Sequence, residues 1–278
     1  MKILYVAELV GKAGIFCFKK TVSALREKLA IDFVIAGCDG ASNGSGLGYS
    51  QAMYLRKLGA DVLTMGDCSF YKKDLTERFD KTPFTLRPAN LPRGAVGNGC
   101  GFYRAGNQKI AVAPLMGQFG FSRVHAENPI AFLDGLLEKL RKETPFIILD
   151  FHAVTSAEKR ILFNIADGRV SAVIGSHTRV QTADEEILPG GTAVITDAGR
   201  SGSFYSVGGT EIKSRIKEYV SGIPDWTKEA WDMCELQGVI IELDERGKAL
   251  SIERVRVPVA EQHPDAPREG GASGSSAG

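Results

Sequence analysis

Five positions carry an acid or an imidazole where an apolar run gives way to a turn: Glu8, Asp39, Asp67, His152 and His177, with Arg179 two residues beyond the last. Taken singly, each suits a helix cap, a turn or a backbone hydrogen bond. Taken together they suggest chemistry. Three carboxylates brought to one place repel, and some must stay protonated unless a cation neutralises them. A divalent cation resolves this, and mixed nitrogen and oxygen donors suit manganese, iron or zinc rather than calcium. Cys38 and Cys68 adjoin two of the acids. They read first as small buried apolar side chains and second as thiolate ligands.

The elements that must position these residues follow from hydrophobic period. Residues 2–7, 32–36 and 61–65 are short apolar runs separated by helical stretches near 18–29 and 49–58. Strand, helix, strand, helix, strand implies right-handed crossovers and a parallel core. Residues 80–100 are rich in Pro and Gly and read as a long ordered loop. A hairpin is expected around 105–108, a helix over 129–142 and a buried strand over 146–150 that ends at Phe151-His152. A helix over 155–166 precedes the strand 170–174, ended by Gly175 ahead of Ser176-His177-Thr178-Arg179. A strand at 193–196, a helix at 212–220 and a hairpin of 237–243 with 250–257 complete the domain. The early units should build one sheet, and the hairpins should add antiparallel strands to the other. In such open sheets ligands bind at the carboxyl ends of strands.

The 278 residues are 44% hydrophobic, enough for one large domain and marginal for two. Residues 1–258 are expected to form it, and the low-complexity stretch within 259–278 reads as a disordered tail. Net charge is +1, so no bulk attraction to nucleic acid or acidic membrane is implied. The five cysteines form no CxxC pair, which argues against a disulfide framework and for a reducing cytoplasm. The amino terminus turns polar too soon for a signal peptide, and no apolar run spans a bilayer.

At this point the motifs become specific. Gly37-Cys38-Asp39, Gly66-Asp67-Cys68, Asp150-Phe151-His152-Ala153 and Gly175-Ser176-His177-Thr178-Arg179, in that order after Glu8, resemble the calcineurin-like metallophosphoesterases. Leu9-Val10-Gly11-Lys12, Tyr71-Lys72-Lys73-Asp74, Arg87-Pro88-Ala89-Asn90, Val180-Gln181-Thr182-Ala183-Asp184 and Leu188-Pro189-Gly190-Gly191 make the likeness closest to the YmdB-like phosphodiesterases, over about residues 1–257. The resemblance implies a four-layer α/β/β/α sandwich of two mixed sheets. It also implies two bound metals, often iron or manganese, and hydrolysis of phosphodiesters such as 2′,3′-cyclic nucleotides.

The departures from that pattern lie at the site. The family has Asp at position 8, Glu-Asn at 39–40, Asn-His at 67–68 and His at 179. Here these are Glu8, Asp39-Gly40, Asp67-Cys68 and Arg179. By the resemblance, one metal would use positions 8, 39 and 179, but arginine stays protonated and cannot ligate. That metal is expected to be lost, with Arg179 supplying a fixed charge able to pair with Glu8 or Asp39. The other metal would use Asp39, Asp67, His152 and His177. Asp39 is shorter than glutamate by about 1.5 Å. Cys68 stands at the family's general-acid position, where a thiol with a reference pKa near 8.5 is a poor substitute for imidazole. Gly40 removes an amide expected to face solvent or substrate phosphate, which leaves Gly40 and Arg179 as the substrate-binding positions. The expectation is a phosphoesterase holding one divalent Fe, Mn or Zn ion and acting on a phosphorylated small molecule or nucleotide. Two alternatives stay open. One is a metal-free or inactive pseudoenzyme that binds a phosphorylated ligand or a protein partner, and the other is an assembly scaffold. A homo-oligomer is left open, a membrane partner is not expected, and no clear nucleic-acid surface is seen.

Overall fold

A computed structural model describes residues 1–224 and 228–260. Its elements run in chain order: β1 (Lys2–Val6), β2 (Glu8–Leu9), α1 (Gly11–Leu29), β3 (Phe33–Gly37), α2 (Tyr49–Lys57), β4 (Val62–Thr64), α3 (Lys73–Thr76) and β5 (Thr85–Leu86). The second half holds β6 (Gly101–Ala105), β7 (Gln108–Met116), α4 (Pro129–Arg141), β8 (Phe146–His152), α5 (Ser156–Ala166) and β9 (Ala172–Ser176). It closes with β10 (Glu186–Ile187), β11 (Ala193–Ile195), β12 (Arg200–Ser203), α6 (Ile212–Ser221), β13 (Cys234–Leu243) and β14 (Ala249–Pro258). The tail predicted from 259 lies, from residue 261 on, outside the described residues.

Two mixed sheets result. The first runs β2-β12-β13-β1-β3-β4-β5, with β14 on the outer side of β13. Within it β1, β3, β4 and β5 are parallel, as the βαβ pattern requires. The second runs β10-β11-β9-β8-β7-β6, with β7, β8, β9 and β11 parallel. One expectation is corrected. The β6–β7 hairpin does join the second sheet, but β13–β14 joins the first, because β13 pairs antiparallel with β1 from Lys2↔Glu242 to Val6↔Gly238.

Side-chain alternation fixes the layers. Ile3, Tyr5, Phe33 and Ile35 point from the first sheet onto Ile110, Val112, Ile148 and Ile174 of the second. Their neighbours Leu4, Val6, Val34 and Ala36 point the other way, onto Phe18 and Val22 of α1 and Leu55 of α2. On the far side, Ile147, Leu149 and Val173 meet Leu133 and Leu137 of α4 and Leu162 and Phe163 of α5. Strands buried on both faces read as continuous apolar runs, and each such large side chain contributes about 1.5–3 kcal/mol on burial. The architecture is therefore helix, sheet, sheet, helix.

The first helix starts well before the predicted residue 18. Gly11 takes φ +61° and Gly14 has no room for a side chain, since a Cβ there would lie 2.6 Å from Ser201 O. Gly14 brings the helix close to β12, Gly11 supplies the left-handed residue that starts it, and Glu229 Oε1 accepts from Ala13 N at 2.7 Å near the helix start. The 80–100 stretch is also less irregular than predicted, because it contributes β5. Strands β8 and β9 run on through His152 and Ser176, past the ends the sequence suggested.

Candidate metal centre

All the candidate residues lie at the carboxyl end of the two sheets. Glu8 is in β2, Asp39 follows β3, Asp67 follows β4, His152 is the last residue of β8, and His177 and Arg179 follow β9. The structure brings every one of them into a single connected cluster.

Half of the cluster is a convergence of donors. His152 Nε2 lies 2.8 Å from Asp67 Oδ1, 3.0 Å from His177 Nδ1 and 3.6 Å from Asp39 Oδ2. His177 Nδ1 is 3.7 Å from Asp67 Oδ1. One atom each from Asp67, His152 and His177 can be chosen so that all lie within 4.8 Å of one another. With metal bonds of about 2.1 Å, adjacent ligand atoms stand about 3.0–3.4 Å apart. Two ring nitrogens facing each other across a carboxylate therefore fit a single small divalent cation. Asp39 is held in place because its Oδ1 accepts from Gly66 N at 2.6 Å and from Cys68 N at 3.1 Å. Gly66 is required by the site, since a Cβ there would fall 2.3 Å from the His152 ring.

Electrostatics shows the strain of this crowding. Burial pushes Asp39 up to about 7, although the positive charge of His152 works against the rise. Burial alone would lower His152, but the hydrogen bond to Asp67 and the charges of Asp39 and Glu8 carry it up to about 9. Burial and the neighbouring positive His152 bring His177 down to about 4. Burial opposes ionisation of Asp67 too, yet its bond to His152 holds the carboxyl well below the usual range. At neutral pH a proton on His152 thus occupies the place where a cation would sit.

The other half of the cluster is an ion pair. Arg179 Nε and Nη2 both donate to Glu8 Oε1, at 2.9 and 2.6 Å, and Glu8 is almost fully buried. Two further guanidinium hydrogens go to Gly44 O at 2.7 Å and Gly208 O at 3.2 Å. The charge of Glu8 raises the Arg179 pKa further, so the cation is permanent. A Cβ on Gly40 would lie 2.6 Å from Glu8 Oε1 and 2.8 Å from Arg179 Nη2. The bare backbone at Gly40 is what gives the guanidinium its seat. Cys68 lies between the halves, its Sγ 3.7 Å from Asp67 Oδ2. Burial and the nearby Asp39 and Asp67 push its thiol far up, so it keeps its proton. Cys38 is fully buried with Sγ 3.4 Å from Ala36 O, and it packs as an apolar side chain.

His177 and Arg179 both sit at positive φ, 99° and 61°. Non-glycine residues hold such backbone only where the surroundings fix it. The fixing group is Asp197, whose Oδ2 accepts from Thr178 N at 2.9 Å and Thr178 Oγ1 at 2.7 Å, and pairs with Lys159 Nζ at 3.1 Å. Lys159 and Asp197 side chains are both 0% exposed. Arg200 Nη1 ties the same turn by donating to Arg179 O at 2.9 Å.

A model of the YmdB-like protein family matches residues 4–255. The chain belongs to the YmdB-like family. A 2′,3′-cyclic-nucleotide 2′-phosphodiesterase of Bacillus subtilis (strain 168) is 36% identical over 258 residues, 92% of this chain and 97% of that protein. The solved structure of a novel phosphatase from Mycoplasma pneumoniae superposes with a TM-score of 0.87 at 28% identity, covering 95% of each chain. A 5′-nucleotidase precursor from Thermus thermophilus shares the fold at 10% identity, with TM-score 0.56 over 93% of this chain and 54% of that one. The fold is thus the metallophosphoesterase sandwich, and this YmdB-like chain keeps it in full.

Several parts of the site escaped the sequence. Phe121 stacks on His152 with ring centroids 5.8 Å apart and meets His177 edge-on at 5.1 Å, covering the imidazole pair. Nothing in its exposed-looking stretch of sequence signals this. Lys159 and Asp197 are 38 residues apart, and only the packing of α5 against the end of β11 joins them. Gly208 O was equally unreadable. Asp150 was visible within the Asp150-Phe151-His152-Ala153 motif, but its partners were not.

Proposed function

We propose that this chain is a metal-dependent phosphoesterase, most like a 2′,3′-cyclic-nucleotide phosphodiesterase, that uses one divalent cation together with one built-in cation. The observation that carries this reading is the division of the cluster: converging donors at Asp39, Asp67, His152 and His177, and a guanidinium seated on Glu8. The first set would hold iron, manganese or zinc, and such an ion supplies Lewis-acid polarisation of a phosphoryl group. Glu8 is given to Arg179 and is not available to a second ion in this arrangement. The two cations would attract the anionic phosphodiester to the carboxyl end of the sheets. Phe121 packs against both imidazoles and narrows the approach of water to them. Cys68, protonated and half-buried, offers a weak hydrogen-bond donor and a poor proton source for a departing alkoxide. The likeness to the Bacillus subtilis protein supports the substrate class, that to the Mycoplasma phosphatase supports phosphoester cleavage, and the shared cores of the two sheets support residues 1–258 acting as one domain. A second reading follows from Cys68: a site with no effective acid could bind a phosphorylated ligand without turning it over.

Elemental mass spectrometry of the purified chain, with phosphodiesterase assays on a 2′,3′-cyclic nucleotide and an activated aryl phosphodiester, separates these. One metal per chain with cleavage of both substrates supports the proposal. Cleavage of the aryl ester alone places the defect at Cys68, and Cys68→His should then restore the nucleotide reaction. Two metals per chain would refute the assignment of Arg179. Binding without turnover of either substrate selects the second reading, and absence of metal removes the hydrolase.

A further inference from the structure

Behind His152 runs a chain of hydrogen bonds that meets the cluster only at that ring. Tyr5 Oη donates to Asp150 Oδ2 at 2.8 Å, Ser176 Oγ lies 2.7 Å from Asp150 Oδ1, and His152 Nδ1 lies 3.2 Å from Ser176 Oγ. All four residues are at most 5% exposed. Tyr5 comes from β1 of the first sheet, while Asp150, His152 and Ser176 come from β8 and β9 of the second. The chain therefore crosses the layer between the sheets.

Its direction can be worked out. A carboxylate only accepts, and a hydroxyl has one proton to give. Both oxygens of Asp150 are met by hydroxyls, one phenolic and one aliphatic. The Ser176 to Asp150 contact is the shorter of the two that Ser176 makes, as expected when the acceptor is charged. Ser176 thus spends its proton on Asp150. What remains on Ser176 Oγ is lone-pair density, and the group facing it, His152 Nδ1, must supply a proton. The ring is then left with Nε2 as its ligating atom, and Nε2 is the atom that faces Asp67, His177 and Asp39.

We propose that Tyr5, Asp150 and Ser176 are positioning residues that fix the ring of His152 in its Nδ1–H form and so make Nε2 the donor atom for a divalent cation. This rests on the one-cation reading of the site given above. Ligating histidines commonly pass their second N–H to an oxygen acceptor, and loss of that acceptor costs about 10–100-fold in metal affinity. Here the acceptor is a neutral hydroxyl, and it accepts only because a buried carboxylate takes its proton. Asp150 acts on the ring without touching it. Tyr5 in turn satisfies the second oxygen of Asp150, which would otherwise be a buried acceptor with no partner.

The test uses the full chain and Zn²⁺ as probe. Titration calorimetry gives the affinity of wild type, Ser176→Ala, Ser176→Thr and Tyr5→Phe. Long-range proton–nitrogen correlation spectra of histidine-labelled protein report which His152 nitrogen carries the proton, with the four histidines of the chain assigned by substitution. Ser176→Ala should loosen Zn²⁺ by about 10–100-fold and shift His152 away from the Nδ1–H signature, with Ser176→Thr restoring both. Tyr5→Phe should give a smaller loosening with the signature kept. Unchanged affinity and an unchanged signature in Ser176→Ala would overturn the proposal. Should wild type take up no Zn²⁺, the one-cation reading fails, and the positioning role is still judged. In alkaline buffer, where one ring proton remains, wild-type His152 must show Nδ1–H and Ser176→Ala must not.

Discussion

Asp67, His152 and His177 turn their donor atoms toward a common point, while Glu8, beside them at the same sheet ends, turns its carboxylate onto Arg179. Both arrangements answer the problem of acids crowded into a buried place. In the first, the neutralising charge is a proton on His152 that, on the proposed reading, an exchangeable ion would replace. In the second, the charge is tethered to the chain, satisfied by Glu8, Gly44 O and Gly208 O, and cannot leave. An exchangeable charge can be removed by a chelator and depends on supply. A tethered one is always present but is fixed in geometry, and four of its five N–H donors are already committed to the protein.

The contrast can be broken at each end. The largest effect is expected from His152→Ala, which removes the atom at the centre of the donor set. Bound metal should fall from one per chain to none by elemental analysis, and retention of metal would place the ion elsewhere. Next comes Arg179→Ala. It leaves Glu8 buried without its partner, and removing one member of a buried ion pair costs about 3–5 kcal/mol. Urea denaturation should register that loss with metal content unchanged. Arg179→Ala protein as stable as wild type would mean that Glu8 finds another counter-charge. Chelation of the wild-type chain should act only on the first cluster. Its stability should drop by about 2.7 kcal/mol relative to protein at 100 times the metal's Kd, and Arg179→Ala should show the same drop. A chelator effect that vanishes in Arg179→Ala would couple the two clusters, contrary to this description. The smallest effect belongs to Phe121→Ala, which strips the cover from the imidazoles. An aromatic contact of this kind is worth about 0.5–1.5 kcal/mol, and a melting temperature matched to wild type would show that the ring contributes nothing to holding the pair.

Much of this site could be read before any coordinates. The acids and histidines stood out because short β-branched runs stop at them, and strand ends in parallel sheets converge by geometry. Arg179 was legible as a non-ligand from its chemistry alone, and Glu8 was one of its two expected partners. What could not be read depends on long-range contact. Tyr5 meets Asp150 across 145 residues, and a strand's alternation says that Tyr5 is buried but not what it meets. The β13–β14 hairpin was recognised as a hairpin yet assigned to the wrong sheet, because periodicity does not name a pairing partner. Gly11 and Gly14 precede the stretch that the hydrophobic period marks as helical, and only the proximity of Ser201 to Gly14 reveals a helix already approaching a strand there.

The bare backbone at Gly40 imposes an order on change at this site. A Cβ at position 40 would fall within 2.8 Å of both Glu8 Oε1 and Arg179 Nη2, so the pair must shift before a side chain fits there. Introducing an asparagine there first should force both side-chain ends aside, whereas replacing Arg179 first removes one of the two close contacts and frees Glu8 Oε1, the nearer at 2.6 Å, to move. The two steps are unequal in the opposite direction as well: an arginine arriving at 179 before position 40 had lost its side chain would find its seat taken. A library that randomises positions 40 and 179 together should therefore return paired solutions, Gly with Arg or a larger residue with a shorter one at 179, and few mixed ones.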